Sequence, residues 1–474
     1  MKLIYLLWIL LLTGILHNPL QAQHEAYDAP VWKTELQKPS GDSNTFRGAF
    51  THARFSGHVK SFSMATINQG DLSDYHAMAI GGGIRMQTAP FKNLQLVISG
   101  YFTHNISSSD LTKKDNSSGA YNRYEIGLFD IENPENEHDL DRLEELNLQY
   151  HNRKWRITLG KQILKTPFIN PQDGRMRPTE VDGLWINYKA HRKLQLNAGW
   201  LYKISPRSTV RWVSVAESIC INPQGINPNG SPSNYKNQLT SAGIFITDVQ
   251  YKYNDNLSLQ AFNQFTENIF NTLFSQVNFK KKLNTKVWEL SLQYTRQDAL
   301  ANGGNKNLSK TYFTPAKGVN IFSTRLGLEK GNWQHSINYT RIGKSSRFLS
   351  PREWGREPFF TFLPRERNEG LGDVNAFVAK TTKTFPKLNL EANLGVGYFD
   401  LPDVTDFERN KYGLPSYMQT NVQVSYIFIG RLQGLQSSLL YVYKCNKGET
   451  YRNAKFIINK VNMSNINLIL DYHF

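Results

Sequence analysis

Apolar and polar residues alternate one by one along much of this chain. Between 465 and 474, Ile466, Leu468, Leu470, Tyr472 and Phe474 alternate with Asn465, Asn467, Ile469, Asp471 and His473. Successive side chains of a β-strand point to opposite faces, so this segment reads as a strand with one apolar face and one mostly polar face. Trp288, Leu290, Leu292 and Tyr294 alternate in the same way with Glu289, Ser291, Gln293 and Thr295. So do Leu388, Leu390, Ala392, Leu394, Val396 and Tyr398 with Asn389, Glu391, Asn393, Gly395 and Gly397. Leu146, Leu148 and Tyr150, and Val422, Val424, Tyr426 and Phe428, extend the pattern. Laid end to end from about residue 54, such segments give roughly 18 strands, each close to the 9 to 11 residues that a tilted strand needs to cross a bilayer.

The connections between these segments alternate in length. Tight turns are predicted at Ala89-Pro90-Phe91, Asn152-Arg153-Lys154, His191-Arg192-Lys193, Asn254-Asp255-Asn256, Lys330-Gly331-Asn332 and Phe385-Pro386-Lys387. Long loops are predicted at roughly 106–138, 164–179, 206–236, 298–317, 344–372 and 400–416. Outer-membrane barrels have this alternation of short periplasmic turns and long external loops. The fold class is therefore all-β, an antiparallel transmembrane β-barrel with both ends on the periplasmic side. The barrel is expected over 54–474, preceded by a periplasmic lead-in at 23–53 with a short helix around Phe46 to Phe50. No repeat longer than the hairpin is present, and no separate plug-sized domain.

The start of the chain fits export. Lys2 precedes an apolar run from Leu3 to Leu16, then Pro19 and a small residue at Ala22. This is the pattern of a secretory signal peptide over 1–22. The apolar run is shorter than the roughly 20 residues of a membrane-spanning helix. Composition agrees with a barrel: 12% of residues are aromatic, and a mean hydropathy of -0.48 is too polar for a helical membrane protein.

The formal net charge is +16. Export makes nucleic acid an unsuitable partner for it, which leaves basic loops near anionic lipid headgroups or a cation-lined pore that concentrates anions. Cys220 and Cys445 fall on the same side of the membrane in the strand count. Spacing cannot supply the Cβ approach a disulfide needs, so whether they bridge stays open.

Two loops carry most of the candidate chemistry. The first, Lys161 to Pro178, holds three prolines and places Asp173, Arg175 and Arg177 close together; proline restricts a loop and can fix a charged tip. The second runs Pro351-Arg352-Glu353-Trp354-Gly355-Arg356-Glu357-Pro358 and then Pro364-Arg365-Glu366-Arg367-Asn368-Glu369-Gly370. Its interleaved Arg and Glu would set both signs of charge at a pore neck, and the guanidinium fork suits carboxylate ligands. The competing expectation is a solvated loop whose charges pair with one another.

These two stretches resemble the OprD-type outer-membrane porins, a family of substrate-specific channels often selective for carboxylates. Similar spacing occurs in Ser56-Gly57-His58-Val59-Lys60, Ala79-Ile80-Gly81-Gly82-Gly83-Ile84, Gly160-Lys161-Gln162 and Lys203-Ile204-Ser205-Pro206-Arg207. The resemblance implies an 18-stranded barrel whose third and seventh external loops fold inward as a constriction. Asp173, Arg175, Arg177, Arg352 and Arg356 are its constriction candidates, and a row of basic side chains is implied on the barrel wall. Alternation places Arg85, Arg156, Lys203 and Arg325 on inward faces as that row, against the alternative that they pair with Glu145 or Glu289. Phe474, aromatic at the end of its strand, matches a barrel-insertion signal.

The function expected is passive diffusion of small anionic or zwitterionic solutes such as carboxylates, amino acids or short peptides. The alternatives are a structural or adhesive barrel with a loop-closed lumen, and a barrel hydrolase. An enzyme is not expected: His335 and Ser336 are adjacent on a strand and face opposite sides, and no G-x-S-x-G stretch occurs. The acidic stretch from Asp130 to Asp141 offers oxygen ligands but lacks the glycine and spacing of an EF-hand loop. No cysteine and histidine grouping has zinc spacing, so neither a metal nor a cofactor is expected. The partners expected are small solutes, outer-membrane lipid and the barrel-insertion machinery, with no nucleic acid, for a monomer or a loose trimer.

Overall fold

The structure is a computed structural model that describes residue 32, residues 45–171 and residues 175–474. The signal peptide, most of the lead-in and Asp173 lie outside the described residues.

A short helix, α1 (Phe46–Thr51), is capped by Thr45, whose hydroxyl accepts from Gly48 N at 2.9 Å. The chain then forms β1 (Arg54–Asn68), β2 (Tyr75–Gln87), β3 (Leu94–Ser108), β4 (Arg142–His151), β5 (Trp155–Gln162), β6 (Glu180–His191) and β7 (Leu194–Ser205). A two-residue strand, β8 (Val213–Ser214), and α2 (Val215–Ser218) sit within a loop. There follow β9 (Ile244–Lys252), β10 (Leu257–Thr266), β11 (Phe270–Leu283), β12 (Lys286–Ala299), β13 (Gly318–Lys330) and β14 (Trp333–Ile342). The last are β15 (Val374–Phe385), β16 (Leu390–Asp400), β17 (Tyr417–Ile427), β18 (Leu435–Asn446) and β19 (Met463–His473).

Each wall strand pairs antiparallel with the next, and β1 pairs with β19 from His58↔His473 to Asn68↔Met463, which closes the sheet. Because β8 only adds to the end of β7, while β7 itself pairs with β9, the wall has 18 strands. Closure gives every strand two neighbours and leaves no unpaired edge. No described helix is long and apolar enough to cross a membrane.

The alternation has the consequence the sequence predicts. On β13, Phe322 and Leu326 are exposed outward, while Ile321, Ser323 and Gly327 are buried within. Around the barrel, outward Leu148, Leu290, Leu292, Ile337, Leu439 and Leu468 make an apolar band. Trp155, Tyr251, Trp288 and Trp333 edge the band toward the short turns, and Trp200, Phe245, Phe377 and Tyr443 toward the loops. The six predicted turns are all present, and two more occur at 284–285 and 428–434. The long loops are 109–141, 163–179, 206–243, 300–317, 343–373 and 401–416, with a further one at 447–462 that the sequence reading missed.

Of the irregularities in the wall, two matter for the positions of charged residues and of close backbone contacts. Gly160 on β5 has φ +112, and a Cβ there would collide with the Leu146 carbonyl on β4. On β7 the register shifts between Asp182 and Gly183 of its partner β6, so Tyr202 is inserted and the alternation changes phase. Leu201 and Ile204 are both buried, and Tyr202 and Lys203 between them are both exposed. Lys203, expected inward by strict alternation, is turned out of the lumen by this bulge. It stands opposite Asp182, the carboxylate that Lys161 binds at 2.8 Å.

Gly160→Ala should lower the unfolding free energy of the vesicle-inserted barrel by about 1–3 kcal/mol, because the residue would be strained both by its dihedral and by the carbonyl. Gly100→Ala, whose Cβ would lie 3.8 Å from the Arg142 carbonyl, should change it by less than about 1 kcal/mol. Urea titrations followed by tryptophan fluorescence measure the difference.

Candidate functional site

The lumen is crossed by the seventh external loop, 343–373. Its two arms pair through Phe348 N donating to Leu371 O and Gly370 N donating to Phe348 O, both 2.8 Å. The inward polar residues of the wall then hold it by its backbone. Gln297 Nε2 donates to Leu349 O at 2.7 Å and Gln293 Nε2 to Pro358 O at 3.0 Å, both from β12. Ser323 Oγ on β13 accepts from Phe360 N at 3.2 Å, and Gln419 Nε2 on β17 donates to Pro364 O at 2.7 Å. Arg365 reaches Asn465 and Asn467 on β19, at 2.8 and 2.6 Å. The loop therefore spans from β12 to β19.

The third loop, 163–179, packs against it. Asn170 N donates to Trp354 O at 3.1 Å, Asn170 Nδ2 donates to Arg356 O at 3.0 Å, and Asn170 Oδ1 accepts from Arg356 N at 3.1 Å. Gly355 must be glycine-like at this contact: its φ is +144, and a Cβ would lie 2.6 Å from Asn170 Oδ1. Phe168 sits among Phe262, Phe274 and Phe348, with ring centroids 5.9 to 6.3 Å apart. Trp354 is fully buried, donates from Nε1 to Ser218 Oγ at 2.8 Å and stacks on Phe270 at 6.0 Å.

Where the seventh loop meets the second loop, 109–141, the eighth loop, 401–416, and β18 lies a network of buried charges. Glu366 accepts from Arg123 Nη2 at 3.0 Å and from Lys444 Nζ at 2.9 Å, and Arg352 Nη2 is 3.7 Å away. Glu369 accepts from Arg352 Nε at 2.9 Å and from the Tyr412 hydroxyl at 3.2 Å, with Lys411 Nζ at 3.5 Å. The Arg352 guanidinium lies over the Tyr412 ring at 4.6 Å. Burial by itself would raise the Glu366 pKa, but Arg123, Lys444 and Arg352 outweigh it and hold that carboxyl well below the usual range. Glu353 and Glu357, by contrast, are pushed up by burial. Glu353 accepts from Asn222 N and Glu357 from Asn368 N, both at 2.7 Å.

The sequence-derived candidates separate on this frame. Arg352 is in the network, and Arg356 lies beside it with its guanidinium 5.1 Å over the Phe362 ring. Arg175 has φ +52, its carbonyl accepts from Lys60 Nζ at 2.9 Å, and its guanidinium lies against Gly127. Arg177 is buried, donates to Leu140 O at 2.8 Å, and burial brings its pKa down to about 10. The four basic wall residues do not form one row. Arg85 is spent on Glu145 at 2.8 Å and Gln87 at 3.0 Å. Arg156 is exposed near the turns, Lys203 is turned outward, and Arg325 lies beneath the seventh loop, 6.0 Å from the Phe360 ring.

Arg123, Lys411 and Lys444 are missing from the sequence-derived set. Lys444 was accessible to it, because it continues the inward positions Ser438, Leu440 and Val442 of β18. Arg123 and Lys411 come from loops with no periodic signal. In the acidic stretch, Glu132 is paired with Arg211 at 2.7 Å. Cys220 and Cys445 are both free thiols, and burial pushes the Cys220 thiol up to about 11.

No curated protein sequence matches the chain. Among solved structures, the chain is similar to Pseudomonas aeruginosa OccK9 (OpdG), with a TM-score of 0.69 at 13% identity over 90% of this chain and 99% of that one. Acinetobacter baumannii OccAB4 gives 0.67 at 14%, over 89% and 98%, and Pseudomonas aeruginosa OpdK, solved with vanillate, gives 0.66 at 13%, also over 89% and 98%. A family model described as outer membrane porin, OprD family, matches residues 112–348, half of the chain and the part that contributes the second and third loops and the entry to the seventh. With an 18-stranded closed barrel whose third and seventh loops pack together inside it, this chain belongs to the OprD family of bacterial outer-membrane porins.

Proposed function

We propose that this porin passes small anionic or zwitterionic solutes, carboxylates above all, by diffusion through the neck between the third and seventh loops. The observation that carries this reading is the charge count where the seventh loop meets the second and eighth loops and β18: four cations, Arg123, Arg352, Lys411 and Lys444, surround two carboxylates, Glu366 and Glu369. Burial raises the pKa of Glu353 and Glu357 and so disfavours their charged form, and it likewise lowers that of Lys411, which leaves Arg123, Arg352 and Lys444 as the firmer cations. Arg123 and Arg352, with 20% and 17% of their side chains exposed, are the cations of this group most open to a solute. Both are arginines, whose fork can engage a carboxylate with two parallel hydrogen bonds.

The carboxylates have a role of their own. An uncompensated cluster of four cations would hold an anion too firmly, whereas transport needs entry and release at comparable ease. Pairing each carboxylate with several cations leaves a shallow attraction. A zwitterion would meet both signs of charge within the same neck and be oriented by them. Vanillate, with which the similar OpdK structure was solved, is itself a carboxylate.

Planar-bilayer recordings test the reading. The purified barrel should give discrete conductance steps and a reversal potential in a KCl gradient that favours chloride. Arg123→Gln should lower the chloride preference by about fivefold, the effect of ~1 kcal/mol of lost attraction in a partly screened site. Cation preference that Arg123→Gln leaves unchanged would overturn the anionic reading, and silence would favour a barrel closed by its loops. Trp354→Ala should cost about 3–5 kcal/mol of stability as a fully buried aromatic is lost, and should free the seventh loop from Ser218 and Phe270. Its expected signature is a larger and noisier single-channel conductance.

A further inference from the structure

Three side chains that the channel reading does not use meet where the barrel closes. His58 on β1 lies directly opposite His473 on β19, and their rings stack with centroids 4.4 Å apart and planes within 2°. Asp471, two residues before His473, hydrogen-bonds His58 Nε2 through Oδ1, and the same oxygen is 3.6 Å from His473 Nε2. All three side chains are buried, with 4%, 3% and 2% exposure for His58, Asp471 and His473. Tyr101 and Trp32 cover them, 5.7 and 6.1 Å from the His58 ring. His58 Nδ1 is buried with no hydrogen-bond partner among the described residues, so hydrogen bonding alone leaves the cluster incompletely satisfied.

Two imidazoles and a carboxylate, with ligand atoms all within 4.8 Å of one another, form a three-ligand donor set of the kind zinc takes when a fourth position is left to water. Bonds of roughly 2.0–2.1 Å to nitrogen and oxygen imply tetrahedral edges of about 3.3–3.5 Å. The 3.6 Å between His473 Nε2 and Asp471 Oδ1 is close to that edge, while His58 Nε2 and Asp471 Oδ1, which are directly hydrogen-bonded, have to move apart to reach it. The stacked rings must tilt for their lone pairs to converge, and χ2 of histidine is a broad torsion that permits it. Lys60 Nζ sits 3.4 Å from the other oxygen, Asp471 Oδ2, and donates to Arg175 O, which keeps Oδ1 for the imidazoles.

We propose that His58, Asp471 and His473 bind a divalent transition ion, zinc by the chemistry of the donors, and that the ion locks the first strand of the barrel to the last. His58 is 413 residues from Asp471 in the chain, and it meets Asp471 and His473 only when the seam has closed. The ion therefore binds the closed barrel in preference to the open chain and shifts the equilibrium toward closure.

Isothermal titration of the EDTA-treated, detergent-folded barrel with Zn²⁺ tests this. One equivalent should bind saturably, and Zn²⁺ in excess should raise the thermal unfolding midpoint by about 5 °C or more, reversibly with EDTA. His58→Ala and His473→Ala should each weaken binding at least tenfold. His104 and His138, whose exposed rings also stack at 4.7 Å on the loop side, supply the control: His104→Ala with His138→Ala should leave the titration intact. Should the seam variants fail to fold, X-ray absorption of the zinc-loaded wild-type barrel decides, with two imidazoles expected in the first shell. Absence of stoichiometric binding, loss of binding in the His104 and His138 variant alone, or a first shell without imidazole would each overturn the proposal.

Discussion

A chain that crosses lipid as strands cannot leave a backbone N–H or C=O unpaired, and everything else in this structure depends on how that requirement is met. The pairing of β1 with β19 meets it by turning an open sheet, with two bare edges, into a closed wall. Closure fixes the alternation of faces around the whole circumference. It also creates a problem, because an 18-stranded wall encloses a lumen too wide for the wall's own side chains to fill. The seventh and third loops occupy that space, and the wall's Gln, Asn, Ser and Thr residues are the hydrogen-bond partners that hold the seventh in place. Polar alternation thus does two things: it keeps the apolar face toward lipid and equips the inner face to grip a loop by its carbonyls.

The charges of the neck follow from the same enclosure. A solvated loop could carry Arg and Glu in any order, with each pair contributing little. Within the lumen, Glu366 and Glu369 are almost fully buried and need partners, and they take them from four separate parts of the chain: the second loop, the seventh, the eighth and β18. Removing one partner from such a network strands the others, whereas the network as a whole only approximately offsets its own desolvation. Its value lies in position. It pins the seventh loop to the wall inside the lumen, and does so with groups of both signs of charge.

The alternation made the wall legible in the sequence almost strand by strand, because lipid on one side and water or loop on the other impose the period-two pattern directly. The inward course of the third and seventh loops followed from resemblance, and their mutual contact at Asn170 and Arg356 could not be read from spacing. Lys203 shows where alternation breaks down. A single inserted residue, Tyr202, reverses the phase, and nothing in the local sequence marks the bulge. At Arg85 the stated alternative holds: the side chain points inward as expected, and its charge is spent on Glu145. Arg123 and Lys411 belong to loops without periodicity, and their roles exist only through partners on other loops, Glu366 and Glu369.

The seam carries this lesson furthest. Metal sites are recognised in sequence by short spacings, as in motifs where two ligands share a helix face or a tight turn. His58 and His473 have no such spacing and would never be grouped by it. Yet a closed barrel makes its first and last strands neighbours, so the two ends of the chain form a local motif in space with a register as definite as that of a hairpin. Gly57 and Phe474 show the same relation next door: they exchange backbone hydrogen bonds at 2.7 and 3.1 Å, and the Phe474 ring lies over the glycine. In a barrel, therefore, the residues flanking the seam have to be read together with the pattern of the strands that join them, and chemistry placed there acts on closure itself.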